Sequence, residues 1–129
     1  MTYVTDTHPF LWHLAADHRL GRNAASAFAG AEDGLATVIV PTIVLAEALR
    51  VLEKKRLALR FQEVLEKLEI GWNYTTCPLD LRVISRLPAL SSLTELHDRI
   101  IVATAALFGT VLITKDEAIR RSGYVPTIW

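Results

Sequence analysis

A chain of 129 residues that is 51% hydrophobic and 22% charged has enough apolar material for one core without disulfide or zinc support. Its single cysteine, Cys77, excludes an internal disulfide and any C-x-x-C zinc site. The formal net charge of zero argues against a passive nucleic-acid coat, though not against an enzyme whose acids are neutralised by bound cations.

These bounds predict a single domain over residues 1–129. Asp6 and His8 interrupt the start before any signal-peptide core can form. The longest uncharged runs, 34–46 and 100–114, are broken by Pro41 and Gly109 and fall short of the roughly 18 residues a membrane span needs. A cytoplasmic protein with no membrane association is expected, and the lone cysteine suits that reducing setting.

Residues 2–5 read as a short strand. Asp6 or Thr7 can cap the following helix, with Pro9 in its first turn, where a missing N–H costs nothing. That helix runs to about residue 18, with Phe10, Leu11, Leu14 and Ala15 as its apolar stripe. An alanine-rich second helix covers 23–31. The apolar, β-branched run 35–40 suits a strand buried on both faces, as in a parallel sheet. Helices follow at 43–56 and 58–68, the second with Leu59, Val64, Leu65 and Leu68 facing the core. A third strand is expected at 74–79, then a helix capped by Asp80 through about 87, and a loop at 88–93. Ser92 to Glu95 fits a capping box for a helix ending at 108, before Gly109. A strand at 110–114, a short helix at 115–121 and a strand at 125–128 complete the chain. Alternation of this kind predicts an α/β fold: a central, mostly parallel sheet flanked by helices on both faces. In such sheets, sites gather at the carboxyl ends of the strands.

Four acids stand out, each with a plain structural alternative. Asp6 follows the first strand and could simply be a helix cap. Glu47 lies with Val44, Ala48 and Val51 on one helical stripe, where an unpaired carboxylate is costly unless Arg50 pairs with it or a metal does. Asp98 shares a largely apolar face with Ile101, Val102 and Ala105, and could pair with Arg99. Asp116 could sit in the first turn of a helix opened by a Thr114–Glu117 capping box. Together they form an oxygen donor set of the kind that holds hard divalent cations, and phosphodiester cleavage by two such ions needs that set.

Four stretches carry a resemblance. They are Asp6-Thr7-His8-Pro9-Phe10-Leu11-Trp12, Val40-Pro41-Thr42-Ile43-Val44-Leu45-Ala46-Glu47, His97-Asp98-Arg99-Ile100-Ile101-Val102-Ala103-Thr104-Ala105 and Leu112-Ile113-Thr114-Lys115-Asp116, followed by the ending Val125-Pro126-Thr127-Ile128-Trp129. In this order, along nearly the whole chain, they resemble the PIN-domain ribonucleases, in particular VapC-type toxins of toxin–antitoxin pairs. The resemblance implies a five-stranded, mostly parallel sheet and Mg²⁺- or Mn²⁺-dependent endonucleolytic cleavage of RNA. By position it implies Asp6, Glu47, Asp98 and Asp116 as the catalytic, metal-binding acids, with Thr114 as a supporting polar residue. It also implies a homodimer neutralised by a small antitoxin whose tail covers the active site.

Other features have blander readings. Arg50, Lys54, Lys55, Arg56 and Arg60 form a basic run that reads first as a solvated helix face balanced by Glu53 and Glu63, and second as an RNA-phosphate patch. Trp12, Trp72 and Trp129 are expected in core or dimer packing rather than base stacking. His8, His13, His18 and His97 show no zinc-like i,i+4 pair and default to solvent-facing or capping roles. The alternative to the enzyme is a non-catalytic RNA-binding or interaction module whose acids are caps and ion pairs. A phospho-acceptor receiver domain would want an acid pair after the first strand, where Thr5-Asp6-Thr7 stands.

Overall fold

β-Branched, apolar runs form the centre of the structure, as strands buried from both sides must. The computed structural model describes residues 1–54 and 57–129. Its strands are β1 (Thr2–Thr5), β2 (Thr37–Pro41), β3 (Tyr74–Cys77), β4 (Val111–Ile113) and β5 (Thr127–Ile128). Its helices are α1 (Thr7–Leu14), α2 (Arg22–Glu32), α3 (Thr42–Glu53), α4 (Phe61–Ile70), α5 (Leu81–Ile84), α6 (Leu96–Phe108) and α7 (Glu117–Ser122). The strands pair in the order β3-β2-β1-β4-β5 and every pairing is parallel. The α/β architecture is therefore the expected one, with a sheet that is wholly rather than mostly parallel.

The chain builds outward from β1 through β2 to β3, then crosses back through α5 and α6 to place β4 on the other side of β1. The order thus reverses between β1 and β4, where doubly wound sheets open a crevice at the carboxyl edge. The register Thr5 opposite Ile113 brings the ends of β1 and β4 level. Asp6 N extends this pairing by donating to the Ile113 carbonyl at 3.0 Å. The core beneath is dense, with Val4, Phe10, Phe28, Val38, Val40, Ile101, Leu112, Ile113 and Ile119 all essentially inaccessible. No helix among the described residues is long and apolar enough to cross a membrane.

Several boundaries differ from the local reading. α1 ends at Leu14 rather than near 18, because Asp17 accepts from the Arg19 backbone and guanidinium and holds a turn there. α5 stops at Ile84, and a 3-10 turn follows at Leu87–Leu90 with Pro88 in it. Ser92 does not cap α6; its hydroxyl lies 2.8 Å from the Tyr124 hydroxyl. Glu95 is the cap instead, accepting from His97 N at 3.0 Å. Likewise Asp116 is the cap of α7 rather than a first-turn residue, accepting from Ile119 N at 2.9 Å.

One polar network ties α1, α2, α4 and β3 together. His13 stacks on Phe28 with ring centroids 4.5 Å apart, so it is not the solvent-facing histidine expected. Its Nε2 lies 2.9 Å from Glu32 Oε1, Tyr74 donates to the same oxygen at 2.9 Å, and Lys67 Nζ lies 2.7 Å from Oε2. Desolvation alone pushes the Glu32 carboxyl up, but the bonds from Lys67, His13 and Tyr74 outweigh it and hold it at about 2, below its ordinary 4.5. A depressed acid contributes stability above its unfolded value and loses it as pH falls through its folded one. Glu32→Gln is expected to cost about 1 kcal/mol at pH 7, after discounting for solvent screening. That deficit should shrink as pH falls from 4.5 toward 2; denaturant unfolding of both proteins across this range checks it.

Candidate active site

The carboxyl edge of the sheet gathers the acids. Asp6 is the first residue after β1 and caps α1: its Oδ1 accepts from Thr7 N at 2.7 Å. Its Oδ2 accepts from Thr114 Oγ1 at 2.7 Å. Thr114 is fully buried just after β4, and its hydroxyl oxygen also accepts from Asp116 N at 3.1 Å. One threonine thereby bridges the first and fourth acids across the switch point.

Glu47 reaches the same edge from α3. Its Oε1 accepts from the buried Thr7 hydroxyl at 3.2 Å, and its Oε2 lies 3.8 Å from His97 Nδ1. That nitrogen lies 3.2 Å from Glu95 Oε1. Asp98 enters from the first turn of α6. The simpler partners do not hold these acids. Among the described residues Glu47 forms no ion pair with Arg50, which is exposed. Arg99 turns away from Asp98, and its guanidinium donates to the carbonyls of Leu93 and Ser91.

Electrostatics show how crowded the edge is. Desolvation raises Asp98, and the charges of Asp116, Asp6, Glu95 and Glu47 raise it further, to about 7 from 3.8. Burial likewise raises Asp6 against the opposing bonds from Thr114 and Thr7. Burial also raises Glu47, opposed by His97 and Thr7. The charges of Asp6, Glu47 and Asp116, with Glu95 as a fourth, thus all bear on Asp98. Among the described residues, however, no three His, Cys, Asp or Glu side chains are drawn together as a ready-made set of metal ligands. Asp6 spends its oxygens on the α1 cap and on Thr114, Asp116 spends one on the α7 cap, and Glu47 spends one on Thr7.

Local pattern did not single out three of these groups. Thr7 shows in the sequence only as an alternative cap, and Glu95 only as the acid of a capping box. His97 stands beside Asp98 with no periodicity to mark it. Of the basic run, Arg50 and Lys54 are exposed at and beyond the last turns of α3, while Arg60 pairs with Glu63 at 3.3 Å. Lys55 and Arg56 lie outside the described residues. Trp12 and Trp129 pack edge to face with centroids 5.8 Å apart, as expected for packing residues. Trp72 is 96% exposed and takes no place in the core.

Comparisons with known proteins agree with the fold. The fold matches VapBC2 from Rickettsia felis bound to a DNA fragment from its promoter (TM-score 0.70, 15% identity, 99% of this chain and 98% of that one). It also matches FitAcB from Neisseria gonorrhoeae (TM-score 0.64, 18% identity, 98% and 96%). The PIN domain endonuclease Utp24 is a more distant match (TM-score 0.53, 13% identity, 98% and 82%). No curated protein matches the sequence. The PIN domain family model matches residues 3–123. With residues 3–123 of the 129 matched and a five-stranded parallel sheet in place, the chain belongs to the PIN domain family.

Proposed function

We propose that this chain is a divalent-metal-dependent endoribonuclease, acting as the toxin of a toxin–antitoxin pair and working as one domain over residues 1–129. The observation that carries the reading is the set of acids held by buried threonines, Asp6 and Asp116 through Thr114 and Glu47 through Thr7, beside an Asp98 whose carboxyl is pushed up to about 7 by burial and by the charges of Asp116, Asp6, Glu95 and Glu47. Among the described ion pairs, only the His97 contact with Glu47 balances any of the four acids. So much uncompensated like charge is costly in a fold, and a bound cation removes the cost.

The donor set is all oxygen, which fits Mg²⁺ or Mn²⁺ rather than a softer ion. Asp6, Glu47, Asp98 and Asp116 would hold it, partly through waters, which Mg²⁺ keeps readily. When bound, such ions activate a water and stabilise the leaving oxygen of a phosphodiester. The protein's own part is orientation. Thr114 fixes the Asp6 carboxylate by donating to Oδ2, and Thr7 fixes Glu47 by donating to Oε1. Exposed Arg50 and Lys54 offer a positive approach for the RNA backbone.

Membership of a family that includes the endonuclease Utp24 supports the nuclease class. The likeness to VapBC2 supports the toxin role and, with it, a small antitoxin partner and a cytoplasmic setting. Leu81 at 80% exposure, with Leu79, Ile84 and Leu96, leaves apolar surface around α5 and α6 for a homodimer contact.

The test is cleavage of a mixed RNA pool by the purified protein with Mg²⁺ or Mn²⁺ and with chelator. Cleavage that stops on chelation and returns with metal is the expected result. A folded protein that binds RNA but cuts nothing under any metal would instead favour the non-catalytic binding module.

A further inference from the structure

Beside the acids lies a cavity of about 400 Å³, lined by Asp6, His8, Pro9, Trp12, Lys115 and Asp116. Its lining combines two carboxylates with aromatic and cationic side chains. Trp12 lines it and is only 7% exposed, with the His8 ring 5.5 Å away at a tilt of 52° and the Arg19 guanidinium 5.1 Å from its ring centroid. His8 and Lys115 are exposed at the mouth. Lys115 Nζ rests 5.6 Å from the Trp12 ring centroid and 6.0 Å from that of Trp129. Among the described ion pairs it takes no carboxylate, although Asp6 and Asp116 line the same cavity. It is a cation parked on aromatic faces beside a site crowded with negative charge.

Resting on the nuclease reading, we propose that this cavity is a nucleotide subsite that receives the nucleotide next to the scissile phosphate. Its base lies against His8 beside Trp12, and its phosphate is held by Lys115. The volume falls among clefts of roughly 300–1,000 Å³ that hold small ligands. Aromatic faces stack on bases with a modest preference set by stacking strength, and lysine meets phosphate as a compact point charge. A strand of phosphates approaching four acids is repelled, and one cation at their edge offsets part of that repulsion and fixes the register. His8 and Lys115 are thus substrate-positioning residues, and His8 sets the base preference at one position of the cut.

The experiment pairs cleavage with binding. Lys115→Ala, Lys115→Arg and His8→Ala are compared with wild type for KM, kcat and cleavage positions on an RNA pool. The same changes are then placed on an Asp6→Asn background, and binding of a short fluorescein-labelled single-stranded RNA is measured with Mg²⁺ across salt. Lys115→Ala is expected to raise KM and Kd roughly tenfold with little change in kcat, and to flatten the salt slope by about 0.7. Lys115→Arg should restore both, and His8→Ala should broaden the cut positions. Wild-type KM, slope and cut pattern in both alanine variants, beside an inactive Asp6→Asn control, would overturn the subsite and leave the nuclease standing. If wild type cuts nothing yet Lys115→Ala still weakens binding with the flattened slope, the nuclease reading falls and the nucleotide site remains. If binding is also unchanged, the subsite falls with it.

Discussion

Asp6→Asn abolishes nearly all RNA cleavage while the protein stays folded. Asparagine is isosteric and keeps an oxygen to accept from Thr7 N, so the α1 cap survives. Its amide can donate to Thr114 Oγ1, a contact in which Thr114 is the donor in the native chain. What is lost is the charge at the switch point between β1 and β4. Removing one preorganised electrostatic group from an active site typically costs roughly 10²–10³-fold in kcat, and loss of a metal ligand reaches at least the upper end. Stability of the metal-free protein should not fall, because burial already disfavours the ionised form that asparagine replaces. Cleavage rates and thermal unfolding of the same preparations check both halves. An Asp6→Asn protein that is folded and fully active would remove this carboxylate from the mechanism.

Asp98→Asn gives the second large effect, and it has opposite signs for activity and stability. Activity falls for the same reason as at Asp6. Stability of the metal-free protein rises. The Asp98 carboxyl titrates at about 7 in the fold against an ordinary 3.8, so between these values the folded state holds a proton that the unfolded state has lost. Stability therefore declines as pH rises through this window and levels off above about 7. Each pKa unit corresponds to about 1.4 kcal/mol. Solvent reaches this half-open carboxyl and screens much of the effect, leaving about 1–2 kcal/mol. The metal-free variant should be the more stable protein at pH 8 by that amount and should match wild type near pH 4. Mg²⁺ at pH 8 should raise the Tm of wild type more than that of the variant, because a ligand stabilises the state that binds it. Calorimetry at the two pH values, with and without metal, measures all of this. A metal-free variant that is less stable than wild type at pH 8 would contradict the crowded-acid picture.

Both effects have the same origin. The edge that holds the acids is strained electrostatically in the absence of a counter-charge, and the fold tolerates it because the surrounding core is complete. The Thr114 hydroxyl and the Thr7 hydroxyl each satisfy one acid oxygen without neutralising it. They orient charge rather than remove it, which leaves the site poised for a cation.

Local sequence pattern was enough for the type and order of most elements and for drawing attention to the acids. β-Branched apolar runs mark β1, β2 and β4, because strands covered on both faces have no polar side to show. Asp80 and Gly109 mark helix ends through caps that depend on one or two neighbouring residues, and Gly109 takes the expected left-handed φ of 59°. Glu47 and Asp98 draw attention because each interrupts an apolar helical stripe, which is a local property. Tertiary structure alone decided which groups meet. Thr114 reaches Asp6 across 108 positions and Thr7 reaches Glu47 across 40, and no periodicity encodes either contact. The same holds for His97 beside Glu47 and for Glu32 gathered with His13, Lys67 and Tyr74. The capping errors at Ser92 and Asp116 show the limit from the other side. Several nearby residues offered a cap of similar energy, and packing of Tyr124 and Thr114 selected among them. Helices and strands follow from interactions over a few residues; the site follows from the strand order, which only the packed sheet specifies.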